Sequence, residues 1–473
     1  MSALYQIDEI IRATGGVAQN IAAKSISSIS IDSREIEKGA LYVAIKGERF
    51  DGHDFVKNAI NNGASAALVS KQFAKTLSDL PLIQDLPLII VPDALKGLED
   101  IARFARKRTK AKIIAVTGSA GKTSTKELLR NILEDFGKTH ASIRSFNNHW
   151  GVPLMLARMA KDTEFGVFEI GMNHSGEITP LSKMVKPDIT IITNIASAHL
   201  EQLGSLENIA LAKAEIFAGL NRQGTAIINI DNEQRDILLQ SAKQANISRI
   251  ITYGFNENSD VQILNIEQSG DGMLAKVQFN ETKQDIIINT TSFGAHKAAN
   301  ATATLIVVNE LKLDINQSIN AISSQVDTKG RGAKYLLGDK EKPLILIDDS
   351  FNANPLSMQM ALESFALLSA PKGNKILVLG DMLELGEQSE KLHKDLLQYI
   401  TQSNADKIFL VGQLMHCLVK SIAPKKAIEH ANNINELEEN ILNCLDLGDV
   451  IMVKGSKGVM LAGLVKKIQQ HFK

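Results

Sequence analysis

Short apolar runs alternate with helical patterns through the middle of the chain. KIIAVTG, FGVFEIG, DITIITNI and GTAIINI, which begin at Lys112, Phe165, Asp188 and Gly224, have the length and composition of strands buried on both faces of a parallel sheet. Helical patterns such as KTSTKELLRNILEDFG and SLENIALAKAEIFAGL lie between them. Because strands that alternate with helices build parallel sheets covered on both faces, this stretch predicts a doubly wound α/β domain.

Related patterns flank this stretch. Before it, the apolar runs SISSISIDS, ALYVAIKG, AALVSK and PLIIV and the helical run HDFVKNAINNGA predict a small α/β unit. After it, residues 250–293 carry alternating segments and predict a β-rich section, followed by a helix over HKAANATATLIVVNEL. From about residue 326, PLILIDD, NKILVLGD, DKIFLVG and DVIMVKGS again precede helical patterns, which is typical of a Rossmann-like domain.

These patterns divide the 473 residues into α/β domains of ordinary size. We predict a small α/β N-terminal domain over residues 1–95, a central doubly wound domain with a phosphate-binding loop (P-loop) over residues 96–325, and a Rossmann-like C-terminal domain over residues 326–473. The run ALKGLEDIARFARKR predicts an amphipathic helix that leads into the central domain.

The composition is that of a globular protein, with 44% hydrophobic and 22% charged residues. Lys and Arg number 52 against 53 Asp and Glu, and this balance argues against broad electrostatic binding to nucleic acid or membrane. No apolar run approaches the roughly 20 residues that span a bilayer, and the first residues lack a signal-peptide pattern. We therefore expect a cytoplasmic protein, in which Cys417 and Cys444 are free thiols rather than a disulfide.

The sharpest chemical signal is TGSAGKTST, between the predicted strand KIIAV and a predicted helix. Gly118 and Gly121 allow a turn whose N–H groups face a phosphate, and the helix N-terminus adds partial positive charge. Lys122 is placed for the β- and γ-phosphates and Thr123 for Mg2+. The usual first glycine is replaced by Val116, so the loop is a shortened variant. The alternative is a glycine-rich turn with a solvated lysine.

Three further residues are candidates for a role beside this loop. Glu169 ends the run FGVFEIG, where a carboxylate is able to hold a second Mg2+, although a charged residue simply emerging from a strand explains it too. His199 follows DITIITNI and is either a metal ligand or a structural histidine. Lys213 lies on the apolar side of a helix, where a lysine by default packs its stem on the core.

The order of these segments resembles the Mur ligase family, whose members join amino acids to a UDP-linked muramic acid. TGSAGKTST is similar to the family's ATP loop, FEIGMNHSGEI and TNIASAHLEQLGSLENIALAKAEIF to its two metal-site segments, and FGAHKAANATAT to the segment that approaches adenine. GRG around Arg331 resembles the start of the family's C-terminal domain. The resemblance covers essentially the whole chain.

Other segments resemble the family branch that adds D-alanyl-D-alanine to UDP-N-acetylmuramoyl-tripeptide in peptidoglycan synthesis. These are IDSREIEKGALYVAIKGERFDGHDF, SFNNHWGVPL, DDSFNANPLSM, LGDMLELGEQS and VKGSKG. Branches that add one amino acid, such as diaminopimelate or lysine, would carry a DYAHTP-like segment in place of DDSFNANP. Such a single-residue ligase and an ATP-hydrolysing switch without ligase activity stay as alternatives, and a pure binding protein is the weakest of them.

The resemblance also implies roles for individual residues. The ATP phosphates would be held by Gly118, Ser119, Ala120, Gly121, Lys122, Thr123 and Ser124. Mg2+ would be served by Thr123, Glu169 and His199, together with Lys213 carbamylated by CO2. The rest of the nucleotide would meet Asn300 at the adenine, and Arg331 and Asp349 from the C-terminal domain.

Substrate residues are implied in the same way. The UDP-sugar pocket would contain Ser33, Arg34, Asp51, Gly52 and His53. The muramoyl peptide would face Asn147 and Asn148, and the incoming dipeptide would meet Asn352, Asn354 and Ser357. The resemblance implies a monomeric, ATP-dependent ligase that acts through an acyl phosphate, with a C-terminal domain hinged near residues 322–332.

Overall fold

The computed structural model describes residues 3–77, 85–269, 272–291, 294–370, 373–422 and 427–473. Over these residues the chain forms sheets of five, nine and six strands, in that order along the sequence, and one two-stranded ribbon. Helices cover the sheets, so the predicted three-domain α/β class is confirmed. Within the described ranges, no helix is both long and apolar enough to cross a membrane.

The N-terminal sheet has the strand order β2-β7-β6-β5-β4, and β4 to β7 are parallel. Strand β2 joins β7 in the antiparallel direction, and β1 pairs with β3 as the separate ribbon. The strands are β1 Tyr5–Gln6, β2 Val17–Gln19, β3 Ser25–Ile26, β4 Ile29–Ser30, β5 Leu41–Val43, β6 Ala66–Ser70 and β7 Leu88–Val91. The helices are α1 Ile7–Thr14, a 3-10 turn at Gly52–Phe55, α2 Val56–Asn61, α3 Lys71–Leu77 and α4 Ala94–Arg108.

The central sheet has the order β16-β15-β14-β13-β12-β11-β8-β10-β9, parallel from β9 to β14 and antiparallel from β14 to β16. Its strands are β8 Lys112–Thr117, β9 Thr139–Ala141, β10 Phe165–Glu169, β11 Ile189–Ile192, β12 Thr225–Asn229, β13 Arg249–Gly254, β14 Val261–Ser269, β15 Gly272–Phe279 and β16 Gln284–Thr290. Its helices are α5 Lys122–Glu134, α6 Gly151–Ala157, α7 Ile178–Val185, α8 Leu200–Leu203, α9 Leu206–Ala214, a 3-10 turn at Glu215–Gly219, α10 Arg235–Gln244, α11 Ala295–Glu310 and α12 Ile315–Ser323.

Strand β8 lies between β10 and β11, so the chain leaves it toward one side of the sheet and later returns to the other. Connections of opposite sense open a crevice at the carboxyl ends of the strands, where α/β proteins bind ligands. The segments that follow β8, β10 and β11 all meet at this crevice.

The C-terminal sheet has the order β17-β18-β22-β19-β20-β21, and only the β17–β18 pair is antiparallel. Its strands are β17 Ala333–Leu337, β18 Leu344–Asp349, β19 Lys375–Gly380, β20 Lys407–Val411, β21 Ala427–Ala431 and β22 Val450–Lys454. Its helices are α13 Pro355–Ala366, α14 Ser389–Lys394, α15 Leu397–Gln402, α16 His416–Ile422, α17 Glu438–Cys444 and α18 Ala462–His471, with 3-10 turns at Gly386–Gln388, Ile434–Glu436 and Lys457–Val459. Cys417 and Cys444 are free and partly buried.

Helix α4 connects the first two domains through packing as well as sequence. Its apolar face contacts α1 and β6 on one side and α6 and α7 on the other, and one continuous core contains residues of both domains. At the same junction, the Tyr5 hydroxyl donates to the Ala157 carbonyl at 2.6 Å. The Arg108 guanidinium lies 3.7 Å from the centre of the Tyr5 ring. The N-terminal and central domains therefore share a packed interior.

The C-terminal domain is packed differently. It has two apolar clusters of its own, one on each face of its sheet. Leu392 packs against both the C-terminal cluster and the core shared by the first two domains. The chain enters this domain through Gly330 and Gly332, both with positive φ (77° and 90°), a region that glycine enters without steric cost.

Candidate active site

A cavity of about 2870 Å³ opens at the carboxyl ends of β8, β10 and β11. Residues of all three domains line it, among them Ser33 and Arg34 from the first, Lys122 from the second and Arg331 from the third. A cavity of this size accommodates several substrates together, since pockets for single drug-sized ligands measure roughly 300–1,000 Å³.

The P-loop connects β8 to α5 at the edge of this cavity. Gly118 and Gly121 have φ values of 146° and 85°. A Cβ atom at Gly118 would lie 2.0 Å from Oγ1 of Thr193, so the loop fits against the end of β11 only with glycine there. Thr193 Oγ1 donates to the Ala120 carbonyl at 2.5 Å, and Ser119 N–H donates to the Asn194 carbonyl at 2.8 Å. The shortened loop is thus fixed to the neighbouring strand.

Lys122 is held inside the loop. Its Nζ donates to the Gly118 carbonyl at 2.6 Å. Burial lowers the pKa of Lys122, the Glu169 carboxylate acts in the opposite direction, and Arg331 lowers the pKa further. An anion in the cavity would offset the effects of burial and of Arg331 on Lys122, because it would supply a counter-charge and hydrogen-bond acceptors.

Glu169 ends β10 and is 1% exposed. Thr123 Oγ1 donates to its Oε2 at 2.7 Å, and Asn147 Nδ2 donates to its Oε1 at 2.7 Å. Carboxylate and hydroxyl oxygens are the ligand types that Mg2+ prefers, so this pair fits a Mg2+ site beside the P-loop. Within the described residues, no three or more His, Cys, Asp and Glu side chains form a metal-binding group, and water and phosphate oxygens would have to complete the coordination.

His199 lies in the segment after β11, directly before α8, and lines the cavity. Its Nδ1 is 2.7 Å from Oε2 of Glu384, a residue of the C-terminal domain. This contact holds the pKa of the Glu384 carboxyl below its ordinary value. The structure thus places His199 at an interface between the central and C-terminal domains.

Lys213 lies on α9 and is 1% exposed, although it lines the cavity. In the part of the chain that the structure describes, its amine has no hydrogen-bond or ion-pair partner. Burial, and secondarily the Lys122 cation, hold the pKa of Lys213 well below the usual value of a lysine. A lowered pKa raises the fraction of the amine that is neutral, and the neutral form has a free electron pair and is nucleophilic.

Arg331, Asp349 and Asn300 are all in the cavity lining. The Arg331 guanidinium lies 4.1 Å from the centre of the Phe351 ring, and its Nη2 donates to Ser145 Oγ at 3.3 Å. Asp349 is paired with the buried Lys454 at 2.8 Å. Asn300 is packed against the P-loop, since a Cβ at Gly121 would lie 2.7 Å from its Oδ1.

Residues 142–150, which follow β9, form the site-facing segment. Lys126, which is fully buried on α5, donates to the Ser142 carbonyl at 2.6 Å and so fixes the start of this segment to the P-loop helix. Arg144 contacts Glu35 of the N-terminal domain at 3.0 Å. With the Ser145–Arg331 and Asn147–Glu169 hydrogen bonds, the segment touches all three domains.

The N-terminal candidates divide into two groups. Ser33, Arg34 and Gly52 line the cavity, whereas Asp51 and His53 are outside its lining. Asp51 Oδ1 accepts from the backbone N–H of His53 at 3.0 Å and lies 2.6 Å from His53 Nδ1. His53 Nε2 in turn accepts from the backbone N–H of Ser70 at 3.0 Å. Asp51 and His53 therefore hold the turn that presents Gly52.

The candidates for peptide and dipeptide recognition also differ in position. Asn352 is exposed and in the cavity lining. Asn354 and Ser357 form a capping box at the start of α13, in which Asn354 Oδ1 accepts from Ser357 N–H at 2.8 Å. Asn354 Nδ2 reaches the Ser119 carbonyl at 3.4 Å. Asn148 Oδ1 accepts from Gly151 N–H at 2.9 Å and so stabilises the turn before α6.

Thr193, Lys454 and Glu384 also contribute to the site, in addition to the residues that the sequence predicts. Thr193 and Lys454 follow or end strands whose carboxyl ends meet the cavity, and that position is the signal that identifies them. Glu384 is in LGDMLELGEQS, but its contact with His199 joins two domains, and no local pattern carries that information.

Comparison with known proteins gives consistent results along the chain. The family described as "Mur ligase family, catalytic domain" matches residues 25–106. The family described as "Mur ligase middle domain" matches residues 116–308, and the one described as "Mur ligase, glutamate ligase domain" matches residues 336–457. The UDP-N-acetylmuramoyl-tripeptide–D-alanyl-D-alanine ligase of Rickettsia prowazekii is 36% identical, over 94% of this chain and 95% of that protein. The Bacillus subtilis enzyme of the same name is 33% identical, over 94% and 93%.

A solved structure shows the same similarity in three dimensions. A crystal structure of MurF from Acinetobacter baumannii superposes with a TM-score of 0.84 and 28% identity, over 98% of this chain and 99% of that one. The similarity therefore extends through all three domains and their arrangement.

The environment of Lys213 predicts a pH-dependent stability. A lysine whose pKa is lower in the folded state releases its proton on folding. The free energy of unfolding of the wild type therefore rises with pH between the folded-state pKa and the unfolded-state pKa, by at most about 1.4 kcal/mol per pH unit. We expect Lys213→Met to be more stable than the wild type near neutral pH, with a difference that shrinks toward the unfolded lysine pKa of about 10.4.

Urea denaturation in CO2-free buffer at about pH 7 and about pH 9 measures this difference. The exposed Lys161→Met variant is the control and should keep the wild-type pH dependence. Equal pH dependence in the wild type and Lys213→Met would contradict the lowered pKa of the buried amine.

Proposed function

Since the chain belongs to the Mur ligase family, we propose that it joins D-alanyl-D-alanine to UDP-N-acetylmuramoyl-tripeptide at the expense of ATP. The product would be the UDP-linked pentapeptide of peptidoglycan synthesis. One observation supports this most directly: the P-loop, Glu169 and Lys213 face a single cavity that all three domains line. A ligase that brings together a nucleotide, a sugar-linked peptide and a dipeptide needs such a shared space.

The first step transfers a phosphoryl group. An oxygen of the terminal carboxylate of the tripeptide attacks the γ-phosphorus of ATP, the bond from that phosphorus to the β-phosphate bridging oxygen breaks, and ADP leaves. Both reactants are anions, so the reaction needs positive charge and precise positioning. Lys122 and Arg331 supply cationic groups, and the N–H groups of residues 118–124 supply donors at the start of α5.

The second step forms the amide. The free amine of D-alanyl-D-alanine attacks the carbonyl carbon of the acyl phosphate and gives a tetrahedral intermediate. That intermediate breaks its bond to the phosphate oxygen, phosphate leaves, and the nitrogen loses a proton. Because water hydrolyses an acyl phosphate, the C-terminal domain must cover the site, and Gly330 and Gly332 are suited to a hinge.

The family implies Mg2+, and the oxygens of Thr123 and Glu169 suit that ion. These residues, with His199 and a carbamylated Lys213, would hold it. When bound, Mg2+ would neutralise charge on the phosphate oxygens. Lys213 is suited to carbamylation because its lowered pKa favours the neutral amine, whose nitrogen is able to attack the carbon of CO2 and lose a proton. The resulting carbamate is an anion beside Lys122, so it would add an attractive interaction with that cation.

A coupled assay of ADP release tests the proposed reaction. We expect ADP only when the UDP-tripeptide and D-alanyl-D-alanine are both present, with a new amide visible by mass spectrometry. Turnover with a UDP-dipeptide and a free diaminopimelate or lysine would instead assign the chain to a branch that adds one amino acid. ATP hydrolysis that needs no acceptor would identify a nucleotide switch.

The carbamate predicts chemical rescue of Lys213→Ala. Removal of the amine should lower kcat by about a hundredfold, as loss of a group that supports a metal site does. A short-chain carboxylic acid that enters the vacated space should restore part of the rate. The same acid should leave Lys122→Ala inactive, since that variant lacks a cation and not an anion. A fully active Lys213→Ala enzyme would remove the carbamate from the mechanism.

Asn352 is the exposed member of the proposed dipeptide group. We expect Asn352→Ala to raise the KM for D-alanyl-D-alanine by about tenfold, the typical loss of one hydrogen bond to a charged group, and to leave the KM for ATP unchanged. Steady-state kinetics with each substrate varied in turn measures this. Asn435→Ala, an exposed asparagine outside the cavity lining, is the control. An effect confined to ATP would place Asn352 at the nucleotide.

A further inference from the structure

Residues 383–386 of the C-terminal domain lie directly on the start of α8 in the central domain. The backbone N–H of Glu201 donates to the Glu384 carbonyl at 3.2 Å. A Cβ atom at Gly386 would lie 3.4 Å from Cα of Glu201, so the two backbones are in close contact. The 3-10 turn at Gly386–Gln388 also contacts α8. Backbone contacts of this kind define the relative position of the two domains.

The same contact fixes two side chains. Glu384 Oε2 is 2.7 Å from His199 Nδ1, an ion-pair distance. In the described part of the chain that nitrogen is enclosed and accepts or donates no hydrogen bond of regular geometry, so the Glu384 carboxylate is the polar group beside it. Both residues have a left-handed backbone, with φ values of 64° and 61°. Non-glycine residues keep this conformation where their surroundings hold them, and such positions cluster at functional sites. Two such residues face each other across a domain boundary here.

The contact determines which nitrogen of His199 is available. A carboxylate beside Nδ1 stabilises the tautomer with the proton on Nδ1 and leaves the electron pair on Nε2. His199 is in the cavity lining, and its side chain is 25% exposed. Among the described residues, Nε2 has no hydrogen-bond partner. Histidines that bind metals commonly donate their second N–H to a carboxylate, which orients the ring and raises its basicity, and the Glu384 carboxylate lies within reach of such an interaction.

We propose that Glu384 is a positioning residue: its carboxylate, delivered by the C-terminal domain, orients the His199 ring so that Nε2 is available to a divalent cation. The inference rests on the metal-binding role proposed above for His199. It means that the cation site is complete only when the C-terminal domain is packed on the central domain. Leu392, which packs against the cores on both sides, supports the same closed arrangement.

Mn2+ binding followed by electron paramagnetic resonance tests this without either peptide substrate. The titration is made with a non-hydrolysable ATP analogue present, on the wild type, Glu384→Ala, Glu384→Gln, His199→Ala and the double alanine variant. We expect Glu384→Ala and His199→Ala each to weaken one class of Mn2+ sites by about tenfold or more. Glu384→Gln should largely retain the affinity, because its amide oxygen is able to accept from Nδ1–H. Glu387→Gln, an exposed glutamate on the same turn, is the control.

Coupling between the two residues separates positioning from general destabilisation. If Glu384 acts through His199, the double variant should bind Mn2+ no more weakly than His199→Ala alone. Additive losses, or an unchanged affinity in Glu384→Ala, would overturn the proposal. An unchanged affinity in His199→Ala would overturn it too. The result is independent of the reaction catalysed, since the absence of ADP release with D-alanyl-D-alanine would affect the proposed function and leave these titrations valid.

Discussion

The cavity brings several basic side chains together beside the P-loop. Lys213 is buried and Lys122 is partly buried. Burial lowers the pKa of both amines, the Lys122 cation lowers the pKa of Lys213 further, and Arg331 adds another cationic group nearby. Glu169 is the buried carboxylate that opposes them, and its oxygens are already engaged by Thr123 and Asn147. Such an arrangement is electrostatically incomplete without an added anion. A triphosphate on the P-loop, together with a carbamate on Lys213, would supply the missing negative charge.

Much of the architecture follows from local patterns in the sequence. The predicted helix ALKGLEDIARFARKR is α4 with the same bounds, and the runs KIIAVTG, FGVFEIG and NKILVLGD contain β8, β10 and β19. These strands are buried on both faces and this helix is amphipathic along its whole length, so the apolar pattern extends through each element. The strands β9, β17 and β21 are not evident from the sequence, because they are short or carry partly exposed residues and lack a continuous apolar run.

Less of the site was predictable from the sequence, because most of its contacts join residues that are distant along the chain. The P-loop depends on neighbours in sequence, and its position after β8 follows from its motif. By contrast, the pKa of Lys213 depends on burial and on the nearby Lys122 cation, and both are set by the tertiary structure. The hydrogen bond from the Ser70 N–H to His53 Nε2 also joins residues that are distant in the sequence, so no local pattern predicts it. Likewise, the partner of His199 belongs to another domain, and helical or strand periodicity carries no information about such contacts.

The shared interior around α4 has a further consequence for how the molecule is built. Tyr5, Arg108 and the apolar face of α4 belong to one packed region that spans the first two sheets. Separation of the first two domains would expose apolar surface on both of them. The last domain has its own apolar clusters, so most of its core would stay buried after separation. Modular exchange among related chains is accordingly easiest at residues 324–332. Exchange of the final domain there would leave the shared interior of the first two domains intact.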